Sequence, residues 1–211
     1  MAAHWPKRYS PRHRLSNMTI LKIYFDFKSP ESYLAFHQTQ KICLPDGTQI
    51  EWKPFLTKTK KIPLTKEIET KGETHIRIRE EHKKFVNLKY SKILNIPMVY
   101  PEEDIQTDLA LAITSHFKKG ADAYLALAFD CYWKDNQNLN TPEVLESLLT
   151  KTSLSINILE NSNSLIDALK DDTAIAKEQG VISTPTYQIG EELFLGREHL
   201  PWIQKTLEDQ S

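Results

Sequence analysis

Ser29 and Ser32 stand in the segment Asp26-Phe27-Lys28-Ser29-Pro30-Glu31-Ser32 at the spacing of a C-P-x-C redox motif, with oxygen where sulfur would be. Exchange of a protein disulfide there would need cysteine at position 29 or 32, and neither is present. The two cysteines of the chain, Cys43 and Cys131, are far apart and form no C-x-x-C pair. They read as structural thiols, and a reducing, cytoplasmic setting fits them. The seven histidines form no metal-ligand pattern: His75 and His82 could share a helix face, but no third ligand accompanies them. The chemistry left to this segment is that of a hydroxyl at the start of a helix.

The surrounding elements must place that hydroxyl. Residues 20–27 alternate as a strand. Ser29 then reads as an N-cap and Pro30 as a first-turn proline, opening a helix to about residue 42. Pro45-Asp46-Gly47 is a turn signal, and residues 49–55 form a second strand, giving a β-α-β start. Residues 56–66 read as a lysine-rich connection and 67–94 as charged helix. Helices are predicted over 104–118, 122–134 and 141–151, the last opened by Thr141-Pro142-Glu143, with one or two more over 162–179, ending at Gly180. Thr184 to Ile189 and Glu192 to Leu195 form a hairpin about Gly190-Glu191, and 198–208 a closing helix.

The order β-α-β, helical block, α-β-β-α is that of an α/β protein with a thioredoxin fold and an all-helical domain inserted in its middle. The boundaries follow: 1–17 a flexible, basic N-terminal extension without an apolar signal core, 18–60 and 165–211 the thioredoxin-like domain, 61–164 the helical insertion. In such a fold a cis-proline opens the third strand and faces the first helix, and Thr184-Pro185 is placed to do so. Ser-Pro at a helix start and Thr-Pro at a strand start are each ordinary structural features. Their combination is what singles out Ser29.

A helix N-terminus offers unpaired N–H groups and partial positive charge, and it acts on any thiolate brought to it, including one carried by a ligand such as glutathione. A free thiol titrates near ~8.5, and one pKa unit corresponds to about 1.4 kcal/mol. The helix end contributes about 0.3–1 kcal/mol, reaching ~2 when partly buried. A hydrogen bond to a charged group contributes about 1.5–3 kcal/mol. Helix end and hydroxyl together could therefore lower a thiol by more than ~2 units, with the hydroxyl contributing more of the two.

The sequence resembles the 2-hydroxychromene-2-carboxylate isomerase family, kin of kappa-class glutathione transferases within the DsbA-like superfamily. The stretches that carry the resemblance are I-Y-F-D-F-K-S-P-E-S-Y-L-A, N-I-P-M-V-Y-P, W-K-D-N-Q-N-L-N-T-P, and K-E-Q-G-V-I-S-T-P-T-Y followed by E-L-F-L-G-R-E-H-L. The resemblance spans residues 20–207 and implies glutathione as cofactor. It implies that Ser29 is the catalytic serine beside the glutathione sulfur. Thr184, before Pro185, would hold the cysteinyl unit by its backbone. Arg197 and Glu198 would take the γ-glutamyl end, within a G-x-D-R motif where glutamate replaces aspartate and His199 the arginine. The family's Gly-Asn-x-Pro-Pro stretch reads T-K-T-K-K-I-P here, and Arg79, Lys60 and Lys61 remain open as its basic residue. A conjugated or aromatic carboxylate is the implied substrate, and a homodimer the implied assembly. The same thiolate site would serve a kappa-like transferase, and a non-catalytic thiol-binding protein would keep the fold without the chemistry.

Bulk properties bound these readings. A chain of 211 residues suits one large domain or a domain with an insertion. Net charge of −1 supplies no global field toward nucleic acid or an anionic membrane. No apolar run approaches the ~20 residues of a spanning helix.

Overall fold

The computed structural model describes residues 19–58, 69–101, 106–117 and 121–210. The N-terminal extension over 1–17 and the candidates Lys60 and Lys61 lie outside the described residues. Strand β1 (Thr19–Phe25) pairs in parallel with β2 (Thr48–Pro54), with α1 (Pro30–Thr39) between them in the chain. The helical stretch follows as α2 (Lys71–Leu94), α3 (Asp108–His116), α4 (Asp122–Trp133), α5 (Pro142–Lys151) and α6 (Ile158–Glu178). Strands β3 (Thr186–Ile189) and β4 (Glu192–Leu195) return antiparallel, giving sheet order β2-β1-β3-β4. A 3-10 turn (Arg197–His199) leads into α7 (Leu200–Gln210).

Several ends differ from the sequence expectation, each for a local reason. Strand β1 stops at Phe25 because Asp26 turns the chain: its carbonyl accepts from Ser29 N and its side chain from Lys28 N. Helix α1 closes at Thr39, where Gln40 N bonds back to Gln38 O and Phe36 O. Strand β3 begins at Thr186, since Pro185 has no N–H to give a ladder. Helix α2 starts at a capping box, Thr70 and Glu73 each bonding the other's backbone N–H. Helix α6 runs unbroken across residue 165, where the sequence places a domain boundary.

Alternation along β1 explains the packing. Leu21 and Ile23 face α1 and α7, against Ala35, Leu200, Ile203 and Leu207, joined by Tyr187 and Ile189 of β3. Tyr24 points to the other face, near Phe55, Ala176 and Val181. The largest core cluster joins Phe25 and Phe27 to Tyr33, Leu34 and Phe36 of α1 and to residues of α3 to α6, so one core crosses from the sheet into the helical region. Phe129 of α4 is fully buried at that junction, with ring centroids 4.9 Å from Phe27, 5.3 Å from Phe36 and 5.7 Å from Phe25. Trp133 Nε1 donates to Phe27 O at 2.7 Å, pinning the end of β1 to α4.

Truncating Phe129→Ala removes ring packing from both halves of the core at once. The expected loss is about 3–5 kcal/mol of stability, read from urea unfolding at neutral pH. A loss below about 1 kcal/mol would show that the two halves do not share a core.

Candidate active site

The entry to α1 is built by Asp26. Its carboxylate is fully buried and accepts four hydrogen bonds: Lys28 N at 3.2 Å and Thr107 Oγ1 at 2.9 Å on one oxygen, Thr57 N at 3.0 Å and Thr57 Oγ1 at 2.6 Å on the other. The Lys28 ammonium lies 3.8 Å away. The Lys28 bond is an Asx turn, which swings the chain from strand to helix. Ser29 follows as the N-cap: Oγ accepts from Ser32 N at 3.1 Å, and Ser29 O takes the first helical N–H, from Tyr33. Ser32, at the position of a second cysteine in a redox motif, is fully buried, and its Oγ has no partner among the described residues.

Ser29 also reaches across the sheet. Its hydroxyl donates to Thr184 O at 3.3 Å, and the Thr184–Pro185 peptide is cis. Pro185 O accepts from Gly196 N at 2.9 Å, and Gly196 holds φ +90°, a conformation that favours glycine. The structure thus links Ser29, Thr184, Pro185 and the start of the Arg197–Glu198 turn in one hydrogen-bonded path. Glu198 is exposed. Arg197 is buried: Nη1 donates to Gln38 Oε1 of α1 at 3.2 Å, the guanidinium lies 4.0 Å over the Tyr90 ring of α2, and Nε has no partner among the described residues. Asn87, one turn earlier on α2, donates to Glu31 at 3.2 Å. Arg79 is exposed, about 12 Å along α2 from Asn87 at the usual helical rise.

Asp26, Thr57, Thr107, Gln38 and Tyr90 carry this arrangement and were not singled out by the sequence reading. The available signal was an acid between two phenylalanines at the end of an apolar strand, an expensive place for a charge without partners. Burial pushes the Asp26 carboxyl up, while the Lys28 ammonium and the Thr57 donors pull it back in part. On α1, burial also lowers His37, against an opposing pull from Asp130 of α4 at 3.9 Å. Among the described residues no group of His, Cys, Asp and Glu could hold a metal, and no helix is long and apolar enough to cross a membrane.

Residues 20–208 match the DSBA-like thioredoxin domain. The chain belongs to that family. Within it, the chain is 22% identical over 194 residues to a 2-hydroxychromene-2-carboxylate isomerase of Pseudomonas putida, covering 89% of this chain and 94% of that protein. A protein of the same name from Pseudomonas sp. (strain C18) is 23% identical over 197 residues, with 90% and 91% covered. Among solved structures, a 2-hydroxychromene-2-carboxylate isomerase superposes with a TM-score of 0.70 at 18% identity over 90% of this chain and 95% of that one. A probable DsbA oxidoreductase from Streptomyces coelicolor gives 0.66 at 14% identity, covering 91% and 89%. The DsbA-like thioredoxin fold expected from the element order is therefore the fold of the chain.

Two measurements follow. Each Asp26 oxygen accepts one backbone N–H, so Asp26→Asn must turn an amide nitrogen toward Lys28 N or Thr57 N. Leaving a buried donor unpaired is expected to cost about 1–3 kcal/mol, read from the urea midpoint at pH 7, and an unchanged midpoint would contradict the clamp. For His37, the folded pKa lies below the unfolded value of about 6.5, so the unfolded chain binds more protons between the two. Its contribution to stability is present above about pH 6.5 and is lost as pH falls through the lowered folded value. His37→Gln is expected to flatten the decline in stability between about pH 7 and pH 5, and an unchanged slope would contradict it.

Proposed function

We propose that the chain is a glutathione-dependent isomerase of the 2-hydroxychromene-2-carboxylate isomerase type, acting on a conjugated or aromatic carboxylate in a reducing cytoplasm. The observation that carries this reading is the Ser29 hydroxyl. It sits at the N-terminus of α1 and is bonded to the carbonyl that precedes cis-Pro185.

The Ser29 oxygen is fixed by the N–H of Ser32, but its proton is engaged only in a 3.3 Å bond to Thr184 O. Turning that proton toward a thiolate exchanges a neutral hydrogen bond of about 0.5–1.5 kcal/mol for a charge-assisted one of about 1.5–3. The oxygen need not move. The same turn releases Thr184 O to accept an N–H from an extended peptide ligand, as a strand edge does. Glu198, exposed on the 3-10 turn, is available to an ammonium group, and the Nε of Arg197, without a partner among the described residues, marks remaining donor capacity nearby. Arg197 also ties α1 to α2 through Gln38 and Tyr90, so it holds these helices together whether or not it touches ligand. These features fit glutathione. When bound, it would supply the sulfur that adds to a conjugated carbon and later leaves. Ser29 would hold that sulfur ionised, and the helix end would add its partial charge.

Calorimetric titration of the purified chain with glutathione tests the reading. Ser29→Ala should weaken binding about tenfold, the loss of one charge-assisted hydrogen bond. Ser29→Gly, which keeps N-cap stability to within a few tenths of a kcal/mol, should bind as weakly as the alanine variant. No binding by the unmodified chain at millimolar glutathione would return Ser29 to the role of a helix cap.

A further inference from the structure

Helix α2 is built inside out. Of its 24 residues only Asn87 and Ser91 are buried, both polar, while Ile78, Phe85 and Ile93 are 53%, 64% and 65% exposed. At about 100° per residue, these three lie within about 40° of the direction opposite Asn87 and Ser91. His82 and Lys89 fall between them and are exposed too. Scattered exposed apolar residues are ordinary, but here they form one stripe along one helix. A surface helix normally turns such a stripe inward and draws most of its stability from covering it. The inner side of α2 is held instead by polar contacts: Asn87 to Glu31 at 3.2 Å, and Tyr90 under the Arg197 guanidinium at 4.0 Å.

The spacing of the stripe matches itself in reverse. Laid antiparallel on a second α2, with a two-fold axis between Phe85 and Val86, Ile78 falls opposite Ile93 of the other copy, and Ile93 opposite its Ile78. Phe85 meets Val86 on both sides of the axis. Lys89 faces the His82 ring rather than another lysine. On one flank Lys92 comes within about 3 Å, measured along the helix, of Glu81 of the other copy. Glu81 bonds Arg77 of its own helix at 3.1 Å and keeps 63% of its side chain exposed, so its carboxylate can take both. A parallel pair would set Lys89 on Lys89 and Lys92 on Lys92, so the charges select the antiparallel arrangement.

We propose that the outer face of α2 is an interface between two copies of this chain, paired antiparallel about a two-fold axis between Phe85 and Val86. Each copy covers the stripe that the other's fold leaves open, and one surface serves both, as an isologous contact requires. The pairing braces from outside the helix that carries Tyr90 to Arg197 and Asn87 to Glu31. One helix face is smaller than the ~800 Å² per partner of a standard interface, so the pair is a reversible one.

The test is sedimentation velocity of the full chain from micromolar to submillimolar concentration. The mass should rise from that of one chain toward that of two. Phe85→Glu, at an exposed position, should leave the far-ultraviolet circular dichroism unchanged and weaken the dimer about tenfold or more. Register is read by cross-linking in a Cys43→Ser background, which removes the exposed native thiol. Ile78→Cys with Ile93→Cys should give covalent dimers with a short bismaleimide. Either substitution alone should give none, since like positions then lie about 22 Å apart. Cross-linking by Ile78→Cys alone would mean parallel pairing and overturn the proposal. So would a dimer indifferent to Phe85→Glu, or a monomer at every concentration. A monomer that co-sediments with vesicles of phosphatidylserine and phosphatidylcholine would give the stripe to an anionic membrane and overturn it as well. None of these readouts uses glutathione, so failure here and failure of the isomerase reading are distinguishable.

Discussion

The fold around the site depends on one buried carboxylate. Asp26 receives its four donors from three places: the turn that begins α1, Thr57 three residues beyond β2, and Thr107 immediately before α3. An unpaired charge at that depth would be strongly destabilising, so the surrounding backbone is held to whatever geometry keeps all four bonds. That geometry fixes where β1 ends, how the chain turns into α1, and where the helical region meets the sheet. The Ser29 hydroxyl inherits its position from this clamp. It is then registered against Thr184 from the opposite side.

The exchange of sulfur for oxygen has a clear physical sense in this frame. A cysteine at the start of α1 would use the helix end to lower its own pKa. Serine cannot ionise, but it can turn its one proton toward a sulfur that arrives from outside. The helix end, the Asx turn and the cis-Pro strand are present, and in the proposed reading only the owner of the sulfur changes. Ser32, fully buried with a hydroxyl that has no partner among the described residues, sits where a resolving thiol would sit and has no exposure through which to act.

Much of the fold was legible in the sequence because its signals are local. Ser29-Pro30 marks a helix start, Gly190 a hairpin, and the alternation over residues 20–27 a strand. The relation of Ser29 to Thr184 followed from element order, since a parallel first pair and a returning hairpin leave few ways to arrange four strands. The clamp was not legible. Thr57 and Thr107 meet Asp26 across 31 and 81 residues, and nothing in their local sequence marks them. Arg197 read as a charge at a helix start facing a ligand. Its burial depends on Tyr90, from a helix whose face toward α1 is set by Asn87 and Ser91 rather than by an apolar stripe.

The central claim is that Ser29 and the end of α1 ionise a thiol the protein does not own. The most direct measurement is a pH titration of glutathione labelled with ¹³C at the cysteine Cβ, bound to the unmodified chain, following the labelled shift. The account predicts a bound thiol titrating more than one unit below its free value of about 8.5, with most of that depression gone in Ser29→Ala. A bound thiol that titrates at or above about 8.5 would contradict it, since the helix end and the hydroxyl would then have no hold on the sulfur.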